Sequence, residues 1–195
     1  MMVMLKKHGM LTMSGKLPRR QYELLRQTLW DDEGLRLKPY MDTTGNLTIG
    51  HGHKVLDKDN IKPGDVITKE RAEELYHKDV DTAIQDAYSF VPNIWDDLSP
   101  ERQNILINMA YNLGGPKLNK FVEMRKGLQS DDYVTASKEM LNSIWSGQVG
   151  DRSKRLADRM INNEWGSDLP WDEDLRYFAE EPINSSLGYM HGLFN

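Results

Sequence analysis

The chain has 195 residues, 38% of them hydrophobic and 28% charged, a composition that suits one globular domain and excludes bulk disorder. It has no cysteine, which removes disulfides and thiolate chemistry, and its net charge of −5 lacks the basic excess of a nucleic-acid binder. No apolar run approaches transmembrane length, and the opening "MMVMLKKHGMLTMSGKLPRR" lacks the apolar centre of a signal peptide. The chain is therefore expected to accumulate in a cytoplasm, without stable membrane insertion and without a nucleic-acid partner.

The charge is unevenly spread. Residues 1–22 carry five bases and no acid, and residues 167–195 carry six acids and one base. The basic arm reads as a solvated terminus. From residue 20 to 32, "RQYELLRQTLWDD" sets Tyr22, Leu25 and Leu29 on one helical stripe, with Pro18 ahead and Gly34 behind. Glu33 thus falls at the last turn, beside the cap. Next, "RLKPY", "DTTGN" and "LTIGHGH" hold Pro39, Gly45, Asn46, Gly50 and Gly52, which predict a small β-hairpin or three-strand meander.

A long helix over about 68–91 follows. Thr68 is its expected N-cap, and Ala72, Leu75, Tyr76, Val80, Ala83, Ile84 and Ala87 recur at helical spacing up to Pro92. Ser99 and Pro100 open another helix, whose near-continuous apolarity through "NILINMAYNL" marks it as buried and central. Further helices are expected at 117–127, 131–144 and 151–165, with Gly127, Gly147 and Gly150 as breaks. The tail after Trp165 mixes Pro, Gly, acids and aromatics without a period, and suits a strap or a docking extension. The fold class is α+β, a small β region ahead of a helical body. Its division is an N-terminal arm at 1–20, a main domain at 21–166 and an acidic extension at 167–195.

The segment "EGLRLKPYMDTTGNLTIGHGH" carries the chemistry. Cleaving a glycosidic bond needs a proton on the leaving oxygen, negative charge near the developing oxocarbenium ion, and a positioned water or nucleophile. Glu33 at a helix C-terminus suits the acid, because the macrodipole and partial burial favour its protonated form. Asp42 on a turn suits an ionised partner, and the Thr48 hydroxyl suits a water holder. Taken alone, the spacing fits equally a solvated helix end, an Asx-turn aspartate and a strand threonine. The five histidines (8, 51, 53, 77 and 191) form no HExxH pair, and no metal or cofactor is expected.

The same segment resembles the active-site motif of the phage-type lysozymes, glycoside hydrolase family 24. Glu33, Asp42, Thr48 and "IGHGH" stand in that motif's register, and the similarity continues through "VITKERAEELYHKDVDTAI", "ILINMAYNLGG" and "VGDRSKRLADRMINNEW". The resemblance covers residues 21–166. It implies a lysozyme-like fold, with a small N-terminal β-containing lobe and a helical C-terminal lobe joined by the long helix, and a peptidoglycan-binding cleft between them. It implies inverting hydrolysis of the β-1,4 bond between N-acetylmuramic acid and N-acetylglucosamine, with Glu33 as general acid, Asp42 as acidic partner and Thr48 beside the attacking water. Residue by residue, Arg152 matches the arginine that pairs with the catalytic glutamate. His53 and Asp79 match an ion pair between the lobes, and Tyr111 an aromatic lining the sugar cleft. Gly52 and Asn112 match cleft positions. Ile144 departs from the pattern, standing where an arginine is found near the cleft.

The function expected is an endolysin: a monomeric muramidase held in the host cytoplasm until a holin breaches the membrane, then degrading the wall from the periplasm. Two alternatives remain. One is a virion-associated lysozyme docked to a virion partner through residues 167–195. The other is an inactive peptidoglycan-binding protein on the same scaffold.

Overall fold

The structure, a computed structural model, describes residues 17–42 and 45–164. Among the described residues, eight α-helices and three β-strands order as α1 (Arg19–Glu33), β1 (Arg36–Met41), β2 (Leu47–Gly50), β3 (His53–Lys54), α2 (Lys69–Phe90), α3 (Pro100–Leu113), α4 (Gly115–Leu118), α5 (Val122–Gln129), α6 (Tyr133–Leu141), α7 (Ile144–Val149) and α8 (Asp151–Asn162). The sheet is an antiparallel meander in the order β1-β2-β3. Its register pairs Tyr40 with Thr48 and Ile49 with His53. A bulge interrupts β1 between Arg36 and Tyr40. Pro39 lies in this interval on an edge strand, where its missing N–H disturbs the ladder least. The fold is α+β, as the sequence predicts.

Local signals place the helix ends. The Thr68 hydroxyl accepts from the Arg71 N–H at 3.1 Å and opens α2. Ser99 does the same for Arg102 at 3.3 Å, with Pro100 at the first position of α3. The 22 residues of α2 bridge the molecule. Its early turns pack on β2 and β3, and it also packs on α3 and α4. Buried Ala72 and Leu75 lie near its start, and buried Ala87 and Phe90 at its end.

The stripe of Tyr22, Leu25 and Leu29 joins one continuous core with Trp95, Ile105, Leu106, Met109, Met140, Leu156 and Met160. Leu17 is also part of that core, so the folded body reaches back ahead of α1. As expected, α3 is the buried helix, every residue from Gln103 to Ala110 being shielded. Its polar members are paired. Gln21 Nε2 donates to Gln103 Oε1 at 2.9 Å and to Asn104 Oδ1 at 3.1 Å, and Gln103 donates to the Trp95 carbonyl at 2.8 Å.

Two expectations for the helical body are corrected. The helix expected over 117–127 is two helices, α4 and α5, turned at Asn119–Phe121. Gly127 and Gly147 lie inside α5 and α7 rather than breaking the chain. At Gly127 a Cβ would stand 2.9 Å from the Asp132 carbonyl and 3.0 Å from the Ala136 nitrogen. Glycine there admits α6 to close contact, an advantage that outweighs its low helix propensity. Gly150 does break the chain, at φ +56 between α7 and α8. The expected extension at 167–195 and residues 1–16 of the expected arm lie outside the described residues. Within the described residues, no helix is long and apolar enough to cross a membrane.

Candidate active site

Glu33 is the last residue of α1 because Gly34 adopts φ +66 and ψ −174, a conformation closed to residues with a Cβ. Its side chain, 18% exposed, meets Arg152 from the first turn of α8, whose Nη1 donates to Oε1 at 2.6 Å. Glu33 Oε2 makes no hydrogen bond to the described residues. Arg152 is itself held: Nε lies 2.9 Å from Asn108 Oδ1 and 3.1 Å from Asp32 Oδ2. Its Nη2 is buried without a protein partner. Asp32 is nearly closed to solvent and also accepts from Arg155 at 2.6 Å and from Asn108 Nδ2 at 3.2 Å. Two carboxylates and two guanidiniums thus compensate one another, with Asn108 bonded to both Arg152 and Asp32.

Asp42 closes the β1–β2 hairpin. Oδ1 accepts from the Asn46 N–H at 2.8 Å and Oδ2 from Asn46 Nδ2 at 3.1 Å, so the side chain spans the hairpin loop to a residue four positions on. Thr48 is buried on β2, and its hydroxyl donates to the Asn46 carbonyl at 3.2 Å. Asp42 and Thr48 therefore converge on the backbone of one residue, Asn46. With its hydrogen committed, the Thr48 oxygen retains lone pairs able to accept from a water.

The β2–β3 turn brings a second group to Glu33. Gly52, at φ +79, leaves room that a Cβ would fill at only 2.9 Å from Glu33 Oε2. On one side of it, the His51 carbonyl accepts from Tyr111 Oη at 2.6 Å. On the other, His53 Nδ1 lies 2.7 Å from Asp79 Oδ2, and His53 Nε2 lies 3.0 Å from Asp59 Oδ2. Burial opposes charge on the His53 ring, but the two aspartates outweigh it and raise its pKa. Burial would likewise raise Asp59, yet its bonds to His53 and the Leu56 N–H bring it below the ordinary value. The His51 ring is buried 4.0 Å from the Trp30 ring. Its nitrogens lack well-formed hydrogen bonds, although the Gly34 backbone acts on the ring, and burial pulls its pKa down.

The structure joins Glu33, Arg152 and Gly52 in one group, pairs His53 with Asp79, and ties Tyr111 to the same turn. Asn112 stands apart. It is exposed, and its Oδ1 accepts from Trp145 Nε1 at 2.9 Å. Ile144 is 85% exposed at the start of α7. Sequence reasoning missed Asp32, Asn108, Arg155 and Asp59. The signal for Asp32 and Arg155 was the spacing of Arg152 and Arg155, one turn apart on α8 and matched to the adjacent acids Asp32 and Glu33. For Asn108 and Asp59 there was no such signal.

The arrangement places a carboxyl with one anchored oxygen and, among the described residues, one unbonded oxygen that lies close against a glycine. The phage lysozyme family profile matches residues 31–162. The chain is 31% identical over 153 residues to "Probable T4-type lysozyme 2" of Dictyostelium discoideum, covering 68% of this chain and 90% of that protein. It is 34% identical over 219 residues to "Pre-baseplate central spike protein Gp5" of Enterobacteria phage T4, covering 87% of this chain and 37% of that protein. It is 33% identical over 116 residues to "Endolysin" of Acyrthosiphon pisum secondary endosymbiont phage 1, covering 58% of this chain and 71% of that protein. With the motif, the fold and these likenesses in agreement, this chain belongs to the phage lysozyme family and is a glycoside hydrolase.

Proposed function

We propose that the chain is a muramidase that hydrolyses the β-1,4 bond between N-acetylmuramic acid and N-acetylglucosamine in peptidoglycan, with Glu33 as general acid. The observation that carries this reading is the unequal state of the two Glu33 oxygens. Oε1 is fixed by Arg152, which sets the plane of the carboxyl, and Oε2 is left to deliver a proton to the leaving oxygen. Asp42, with both oxygens accepting from Asn46, is held as a carboxylate near the developing positive charge. Thr48 holds the attacking water. Inversion, which needs the two carboxyl groups roughly 6.5–9.5 Å apart to admit that water, is the expected stereochemistry.

Digestion of purified peptidoglycan by the native enzyme and by Glu33→Gln, with products read by mass spectrometry, tests the proposal. New reducing ends from the native enzyme and none from the folded variant are expected. Anhydro ends would mean a lytic transglycosylase, and cleavage by Glu33→Gln would remove Glu33 as the acid. Asp42→Asn should be severely impaired without being inert.

Release of the enzyme by a holin to lyse the host cell is the biological role that the endolysin likeness supports. A second reading, a virion-borne lysozyme used at entry, is favoured by one observation. The likeness to the spike protein covers 87% of this chain and so extends beyond residues 31–162, whereas the Dictyostelium lysozyme covers 68%. A carrier fused to residues 167–195 should capture a purified virion protein under this second reading and none under the first. Deleting residues 168–195 should spare activity on purified wall in either case.

A further inference from the structure

Tyr111 matches a sugar-lining aromatic, yet its hydroxyl is committed elsewhere. It crosses from α3 to the β2–β3 turn and donates to the His51 carbonyl at 2.6 Å, a contact between residues sixty positions apart. Its ring lies 5.9 Å from that of Tyr76, a buried aromatic of α2. Burial pushes the phenol's pKa far above the usual range, so the hydroxyl remains a donor at every working pH. Within the turn, His51 is gripped through its carbonyl by Tyr111 and His53 through its ring by Asp79 and Asp59. Gly52 sits between these two anchored residues, and a Cβ added to it would stand 2.9 Å from Glu33 Oε2.

We propose that Tyr111 is a positioning residue for the hydrolysis, its hydroxyl fixing the His51–Gly52 backbone as the wall that orients Glu33 Oε2. The inference rests on Glu33 being the general acid. Without the hydroxyl, the turn keeps its His53 anchor and the packing of the His51 ring on Trp30, but the His51 carbonyl loses the bond that fixes the backbone beside Gly52. The wall then moves by fractions of an ångström, and the carboxyl rotates about its contact with Arg152. A shift of that size affects the proton-transfer step more than substrate binding.

The test is steady-state kinetics on a soluble peptidoglycan oligomer, well below each variant's melting temperature. Tyr111→Phe, which keeps the ring, should lower kcat on the order of tenfold with KM unchanged. A role confined to stability would lower the melting temperature and leave kcat intact, and that result overturns the proposal. A raised KM with native kcat overturns it as well, because the hydroxyl would then be touching sugar. The double variant Tyr111→Phe/Gly52→Ala supplies a second criterion. If Tyr111 acts through Gly52, the two losses in kcat combine less than multiplicatively, and full multiplication refutes the route. Glu33→Gln, measured alongside, separates the questions. Turnover by that variant would sink the assignment of the acid, whatever Tyr111→Phe shows.

Discussion

Gly52→Ala tests the placement of Glu33 most directly. At φ +79 an alanine incurs a left-handed backbone cost of about 1–2 kcal/mol. Its methyl would also stand 2.9 Å from Glu33 Oε2, where ordinary contact begins at 3.4 Å, so a displacement of about 0.5 Å is required. The carboxyl is the flexible end of a side chain, and moving it adds little to the stability loss. It cannot simply back away, because Oε1 is held at 2.6 Å by Arg152, and it rotates instead. A misplacement of about 1 Å near the reacting atoms costs on the order of a hundredfold in rate, so half that distance should lower kcat about tenfold. Gly64→Ala is the control, since Gly64 has φ +96 with nothing within 4 Å of its added Cβ. Both variants should lose similar stability in thermal denaturation, and only Gly52→Ala should lose turnover on a soluble oligomer. Native kcat in folded Gly52→Ala would refute the reasoning, because the oxygen that the methyl displaces would not be the one that carries the proton.

Removing Arg152 strands Glu33 and leaves Asp32 with Arg155 alone as its cation, so Arg152→Met should destabilise the protein by about 3 kcal/mol in urea denaturation. Arg152→Lys should recover little of this, since an ammonium cannot span Glu33, Asp32 and Asn108 at once; recovery to near-native stability would contradict the bridging role. The raised pKa of His53 makes its stabilising effect full below its ordinary 6.5 and lost as the pH rises through the folded value. Asp59, whose pKa is lowered, contributes above its ordinary 3.8 and loses its effect as the pH falls through the folded value. The melting-temperature gap between the native protein and His53→Asn should therefore be widest between those limits and shrink in alkali, and a pH-independent gap would count against the cluster. His51→Leu should stabilise by about 1 kcal/mol, by replacing a buried ring that lacks well-formed hydrogen bonds. Because burial lowers the His51 pKa, that advantage should grow as the pH falls below 6.5, and a loss of stability would give the Trp30 stack the larger weight.

Much of this architecture was legible because it is decided locally. Gly34, Thr68, Ser99 with Pro100, and Gly150 each act within a turn of where they stand, and the element ends follow them. Gly127 misled because the reason for it is not local. It answers to Asp132 and Ala136 on the neighbouring helix, which no helical period reveals. Asp32 misled for a related reason. In "WDDE" it reads as a solvated helix end, and only the arrival of α8, about 120 residues later, buries it between Arg152 and Arg155. Asp59 sits in a short 3-10 turn with no pattern to single it out, yet it closes on His53 as Asp79 does. Local chemistry fixed where the site's backbone turns, and distant packing decided which acids are structural.

That distinction explains how four carboxyl groups around the motif are divided. Asp32 accepts from two arginines and an asparagine over both of its oxygens, and Asp59 accepts from a histidine and a backbone amide, both at Oδ2. Asp42 has both oxygens engaged by Asn46, which suits a fixed negative charge better than a proton carrier. Glu33 alone among these four combines a single anchored oxygen with a second facing a glycine rather than a donor. A general acid needs an orientation that is fixed and an oxygen that is not consumed in fixing it. Arg152 provides the first condition from one side, and the absence of a side chain at Gly52 preserves the second from the other.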